Sequence, residues 1–257
     1  IAQVFAQAGF QVLVYDVNPE SLKKIKGTIQ NNQRIFLERG VLSAQDAADA
    51  LDRIGTTQKL ADFARVELVI ECIIEKLEVK QAFFRQLEEV VAADALLATN
   101  TSGLSINGIG MPLKDKTRFI GANWWTPAYI IPLVEMVRCD GTSDETVESL
   151  YEILVRVGKK PVVINREVSG FVGNRMQFAL FREAMHIVEE GLASPEDVDR
   201  VLKYGLGLRY AVLGPFEVAD YGGVDTYFHI SDSLFAELDT RADANDLIGA
   251  LYNAGKY

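Results

Sequence analysis

Along the first 165 residues the apolar positions fall into short continuous runs, separated by longer stretches with apolar residues every three or four positions. Residues 10–15 (FQVLVY), 68–74 (LVIECII) and 95–98 (ALLA) read as strands. So do the two runs within 121–138 (GANWWTPAYIIPLVEMVR) and residues 161–164 (PVVI). Residues 1–8 read as the tail of a helix, with Gly9 just past its end, where a left-handed residue is wanted. Asn18 and Pro19 then supply an N-cap and a first-turn proline ahead of Leu22, Ile25 and Ile29 at helical spacing, in a charged helix reaching about residue 39. Ser43 with Asp46 opens a second helix expected to reach residue 54, and further helices are expected over 76–90 and 143–158.

Strands alternating with helices of this length imply an α/β fold with a mostly parallel sheet, of the Rossmann type. Near residue 166 the alternation stops. Beyond it lie an amphipathic stretch over 174–190 ended by Gly191, a Ser194-Pro195 helix start, and helical runs at 216–221 and 226–238. The expected organisation is therefore a nucleotide-binding α/β domain over 1–165 and an all-α domain over 166–257. Ligands of open parallel sheets bind at the carboxyl ends of the strands, where Asp16, Glu75, Ser102 and Asn123 fall. Asp16 could accept hydrogen bonds from both ribose hydroxyls of an adenosine and would repel a 2′-phosphate, favouring NAD over NADP; an ordinary helix-entry turn explains the same residue. Glu135 is a lone carboxylate inside an apolar run, costly to bury without a partner.

The chain has 257 residues and a net charge of −10, with no Lys/Arg block that would attract nucleic acid. No apolar run approaches the ~18 residues of a membrane span, and no secretory leader is visible. Cys72 and Cys139 lack metal-ligand spacing and fit buried, reduced thiols in a cytosolic protein; no metal site is expected.

Taken in order, the runs IECIIEKLEVK, NTSGL, WWTP with PLVE, SGFVGNR and VEEGLASPEDVD resemble the L-3-hydroxyacyl-CoA dehydrogenase family over essentially the whole chain. The run YGLGLRYAVLGPFEVADYGG is closer to the branch of lambda-crystallin, L-gulonate and carnitine dehydrogenases, which act on small free 3-hydroxy acids. The resemblance implies an NAD-dependent oxidoreductase that forms homodimers through its helical domain. It also implies a GxGxMG loop before Ile1 and a further segment after Tyr257, so the chain is expected to be a piece cut at both ends.

Carried over by position, Asp16 would bind the adenosine ribose, and Glu75 and Lys80 would lie near the nicotinamide ribose and phosphates. Ser102 would sit beside nicotinamide and substrate oxygen, Asn174 would bond the reacting oxygen, and Glu135 would orient the catalytic histidine. That histidine belongs at position 123, where this chain has Asn123, and the family's Asn three residues on is Thr126, near the cofactor. Asn has no protonation equilibrium near neutral pH but could polarise a ketone, so catalysis is expected to be weakened or redirected. A catalytically silent, crystallin-like ligand-binding protein is the alternative. Trp124 and Trp125 are either a stacking platform or strand-end packing. Arg209 either clamps a free carboxylate or makes a surface salt bridge. His186 and His229 are expected to be structural or surface residues.

Overall fold

In a computed structural model, described here over residues 1–255, the chain divides into two units, Ile1–Val172 and Gly173–Tyr257. The first begins with helix α1 (Ala2–Gln7), which buries Val4, Phe5 and Ala6. It stops at Gly9, whose φ of 93° is open to glycine at little cost. Strand β1 (Val12–Tyr15) follows, then α2 (Pro19–Glu38), capped by the Asn18 side chain on the Glu20 N–H. Helix α3 (Ala44–Asp52) is capped by Ser43 on the Asp46 N–H. It ends two residues earlier than its apolar pattern suggests, because Ile54–Thr57 forms strand β2, parallel to β1 in the register Val12 to Ile54.

A five-stranded sheet has the order β3-β4-β5-β6-β7. Its strands are β3 (Leu68–Glu71), β4 (Leu96–Thr99), β5 (Phe119–Trp124), β6 (Leu133–Arg138) and β7 (Lys160–Ile164). All neighbours run parallel except β5 and β6, an antiparallel pair. Helices α4 (Leu77–Glu88), α5 (Ile106–Gly110) and α6 (Asp144–Arg156) connect them. Strand β5 is buried along its whole length, as expected of a strand covered on both faces. Phe119 packs with Phe84, Leu97, Ile106 and Val137 in one core, while Ile120, Ala122 and Trp124 pack with Val134, Met136 and Leu150 in another.

Strand β3 ends at Glu71 rather than continuing to Ile74. Cys72 consequently lies in a loop and is exposed, contrary to the expectation of two buried thiols; Cys139 is buried.

Every regular element among the described residues of the second unit is a helix: α7 (Gly173–Glu189), α8 (Pro195–Val201), a π turn over Leu202–Leu206, and α9 (Gly207–Tyr210). Helices α10 (Pro215–Gly222), α11 (Val224–Leu234) and α12 (Asp246–Asn253) complete it. Helix α12 had no counterpart in the apolar pattern, and α11 ends four residues short of the expected 238. Side chains of α7 hold the segment before α12: Glu183 accepts from the Asp239 N–H, and Glu189 accepts from Asn245 and pairs with Arg241. No helix among the described residues is long and apolar enough to cross a membrane.

Candidate active site

The antiparallel pairing of β5 and β6 sets Asn123 directly opposite Glu135. Directly opposed residues on one face of such a pair have Cβ atoms about 5 Å apart, close enough for short polar side chains to meet. Asn123 Nδ2 donates to Glu135 Oε2 at 3.0 Å, and the carboxylate is 1% exposed. Two further donors converge on it: Trp125 Nε1 on Oε2 and the Val172 N–H on Oε1, each at 3.0 Å. The buried charge is thus compensated by hydrogen bonds, as interiors require. The Val172 N–H is delivered by a turn in which Gly170 (φ 75°) and Phe171 (φ 50°) are both left-handed. A non-glycine residue there costs about 1–2 kcal/mol, which the burial of the Phe171 ring (2% exposed) offsets.

A second network ties the ends of β3 and β4. Glu71, the last residue of β3, is fully buried and pairs with Lys80 of α4 at 2.6 Å. Its carboxylate also accepts from Thr99 Oγ1 (2.7 Å) and the Ile73 N–H (2.6 Å). Lys80 donates in addition to the Ile73 carbonyl and pairs with Glu75 Oε2, both at 3.3 Å, so its ammonium meets three acceptors. Glu75 then accepts from the Thr101 hydroxyl and from the Ser102 N–H. Burial pushes the Glu75 carboxyl up, but the Thr101 hydroxyl and the Lys80 charge outweigh it and leave it below its ordinary value. Asn100 joins the networks, since its Oδ1 accepts the Trp124 N–H at 2.8 Å.

The structure therefore brings Asn123 into contact with Glu135, and links Glu75, Lys80 and the Ser102 backbone. The Ser102 side chain is exposed, as is Thr126, which precedes a cis proline in the β5–β6 loop. Asp16 directly follows β1; one carboxylate oxygen accepts the Asn18 N–H at 2.8 Å. Asn174 lies in the first turn of α7 and Arg209 is exposed on α9, both in the second unit. His186 and His229 are also in that unit, on α7 and α11. Trp124, 5% exposed, is packing against Phe5 rather than a platform, with the Lys159 ammonium 5.4 Å from its ring centre.

Sequence reasoning missed Glu71 with its donors Thr99 and the Ile73 N–H, Thr101, Trp125 as a donor, and the Val172 N–H. Glu71 had a signal, since a carboxylate inside an apolar strand with Lys80 on the following helix asks for an ion pair. The others depend on side-chain direction or on backbone and leave little trace in composition.

The family model described as "3-hydroxyacyl-CoA dehydrogenase, NAD binding domain" matches residues 1–168, and "3-hydroxyacyl-CoA dehydrogenase, C-terminal domain" matches 170–257. The chain belongs to this family. The family's members are NAD-dependent oxidoreductases, and NAD is the cofactor of its first domain. A 5-formyl-3-hydroxy-2-methylpyridine 4-carboxylate 5-dehydrogenase of Mesorhizobium japonicum is 31% identical over all of this chain and 82% of its own length. A probable 3-hydroxybutyryl-CoA dehydrogenase of Deinococcus radiodurans is 36% identical over 99% of this chain and 90% of its own. Lambda-crystallin of Oryctolagus cuniculus is 35% identical, over 84% of this chain and 68% of its own length. The crystal structure of a 5-formyl-3-hydroxy-2-methylpyridine 4-carboxylic acid 5-dehydrogenase, described as an NAD+-dependent dismutase, superposes with a TM-score of 0.89 at 29% identity, over 99% of this chain and 82% of that one.

Proposed function

We propose that the protein interconverts a short-chain L-3-hydroxy acid, or its CoA thioester, with the 3-keto form. The observation carrying this reading is the buried Asn123–Glu135 pair at the end of β5, on the sheet whose strands β3 and β4 lead into the loops carrying Glu75 and Ser102. The residues fit NAD: Asp16 has a carboxylate oxygen beyond the one held by Asn18, and the Ser102 side chain is open to solvent. Nicotinamide, when bound, supplies the hydride acceptor. Asp16 holds the adenosine ribose, Glu75 the nicotinamide ribose, and Thr126 a further part of the cofactor. Lys80 acts through Glu75, because its ammonium is already engaged with Glu71, Ile73 and Glu75. The Ser102 hydroxyl bonds the substrate oxygen, and Asn123, held by Glu135, meets the reacting group. Asn174 and Arg209 are assigned to the substrate on the strength of the motifs that contain them.

Asn123 carries no exchangeable base, so turnover is slow relative to a histidine at that position. Asn123→His is expected to raise the rate on 3-hydroxybutyrate or 3-hydroxybutyryl-CoA by about 10²–10⁴-fold, read as NADH formation. No gain on any 3-hydroxy substrate would sink the Asn123–Glu135 assignment. A catalytically silent ligand-binding protein is the second reading. It is favoured by the N–H donors of Asn123, Trp125 and Val172 on Glu135, which engage the carboxylate without an imidazole. NADH binding with no hydride transfer in either variant would select it.

The chain-level organisation we propose is a cofactor domain over 1–165 and a substrate and dimerisation domain over 166–257. Helices α7, α8, α9, α11 and α12 contain no buried residue, and Phe216, Tyr221 and Phe235 are 89%, 89% and 67% exposed. So much exposed aromatic surface is what an interface presents. We assign it to a second copy of the chain, with sedimentation at the monomer mass as the contrary result. The free thiols fit a cytosolic location.

A further inference from the structure

An ionised carboxylate can only accept hydrogen bonds. Glu135 receives N–H groups from Trp125 and Val172, and the Asn123 amide that also faces it has to turn its nitrogen inward. Reversing the amide would set Oδ1 against Oε2 at the 3.0 Å that now separates donor and acceptor. Both amide hydrogens therefore sit on Nδ2, one of them directed at Glu135 Oε2. Oδ1 is the other end: no residue of the described chain donates to it, and it is not among the sealed, unpartnered polar atoms of the interior.

We propose that this fixed amide makes Asn123 a specificity-determining residue that reads the hydroxyl form of the substrate. The inference rests on the functional reading above and sharpens its substrate class. An alcohol O–H donates to Oδ1 and satisfies it. A ketone oxygen, itself only an acceptor, meets Oδ1 lone pair to lone pair and leaves both without a donor. A secondary alcohol, or any ligand presenting O–H at this point, is bound in preference to the corresponding ketone. At Oδ1 the contact Asn123 can make is therefore an accepting one to a hydroxyl, not a polarising one to a ketone. A site that hydrogen-bonds a ligand group discriminates strongly against the analogue that lacks it, so the preference is expected to be about tenfold or more.

The test is calorimetric titration in the two combinations that cannot react: (S)-3-hydroxybutyryl-CoA with NADH and acetoacetyl-CoA with NAD+, repeated with the free acids. Wild-type protein is expected to bind the hydroxy ligand at least tenfold more tightly. Asn123→Leu, which has similar volume and no acceptor, is expected to remove the preference. Asn123→His, whose ring can also donate, is expected to shift it toward the ketone, and this second variant decides the matter if the first does not fold. Equal or tighter binding of the keto ligand by wild-type protein, or a preference that survives both substitutions, overturns the inference while the dehydrogenase reading stands. Failure to bind NADH or either ligand overturns that reading, and this inference with it.

Discussion

Replacing Glu135 by glutamine exchanges one carboxylate oxygen for an NH2 group while leaving shape nearly constant. The two oxygens are not equivalent. Oε2 accepts from both Asn123 and Trp125, whereas Oε1 accepts from the Val172 N–H. The introduced glutamine therefore keeps its carbonyl at the Oε2 position, which preserves two bonds, and sets its amine against the Val172 N–H. An opposed, unsatisfied donor costs about 1–3 kcal/mol, and each surviving bond falls from charge-assisted to neutral strength, about 1 kcal/mol apiece. Removing a buried charge returns part of its desolvation cost. The net expectation is a loss of about 2–3 kcal/mol, or roughly 4–12 °C in Tm at this chain length. The damage is directional, because it falls on the turn containing Phe171. Hydrogen exchange should show the Val172 amide losing protection, while the Trp125 indole N–H stays protected. Unchanged protection at Val172 together with an unchanged Tm would refute the arrangement of donors around Glu135. Equal loss at both N–H groups would refute the argument that the new side-chain amide has a preferred orientation.

The Glu71–Lys80 pair gives a second test: Lys80→Met leaves a buried carboxylate with only Thr99 and the Ile73 N–H, and is expected to cost about 3–5 kcal/mol. Glu71→Leu/Lys80→Met should be less damaging than Lys80→Met by about 2 kcal/mol, measured by denaturant unfolding; additive single losses would show that the two charges are not coupled. Glu75 gives a pH-dependent test. Its folded value lies below the ordinary 4.5, so its contribution to stability is complete above pH 4.5 and disappears as pH falls through the folded value. Thr101→Val removes a hydrogen bond that lowers this value, and should shift the acid limb of a Tm-against-pH curve to higher pH; an unmoved limb would exclude Glu75 as its source. At Gly121 an added Cβ would lie 2.8 Å from Ile106 Cδ1 and 3.2 Å from Val137 Cβ, so Gly121→Ala is expected to cost about 1–3 kcal/mol by thermal unfolding. A neutral result would mean that α5 does not press on β5 as described.

What could be read from the chain beforehand divides according to how local the cause is. Asn18, Ser43, Ser143 and Ser194 cap their helices within three residues, and each was legible as a helix start. Strand β2 was not, because Ile-Gly-Thr-Thr has one strongly apolar residue and is a strand by virtue of pairing with β1, some forty residues earlier. Glu71 lay unread inside an apolar run, and the end of β3 was misplaced, since Ile73 and Ile74 continue the pattern after the backbone has turned to meet Lys80. Around Glu135 the limit is of another kind. The carboxylate and the residue opposite it follow from register, which alternation along two strands can supply. The donors that complete the site do not: one is an indole whose rotamer decides whether it points inward, and another is a backbone N–H placed by a left-handed phenylalanine. Those two donors hold Glu135 as an acceptor, and that in turn decides which end of the Asn123 amide faces the ligand. A substitution legible only as a missing imidazole thus acquires a chemical direction: with Glu135 already supplied with N–H groups, Asn123 turns Oδ1 away from it, and at that atom the ligand has to bring the hydrogen.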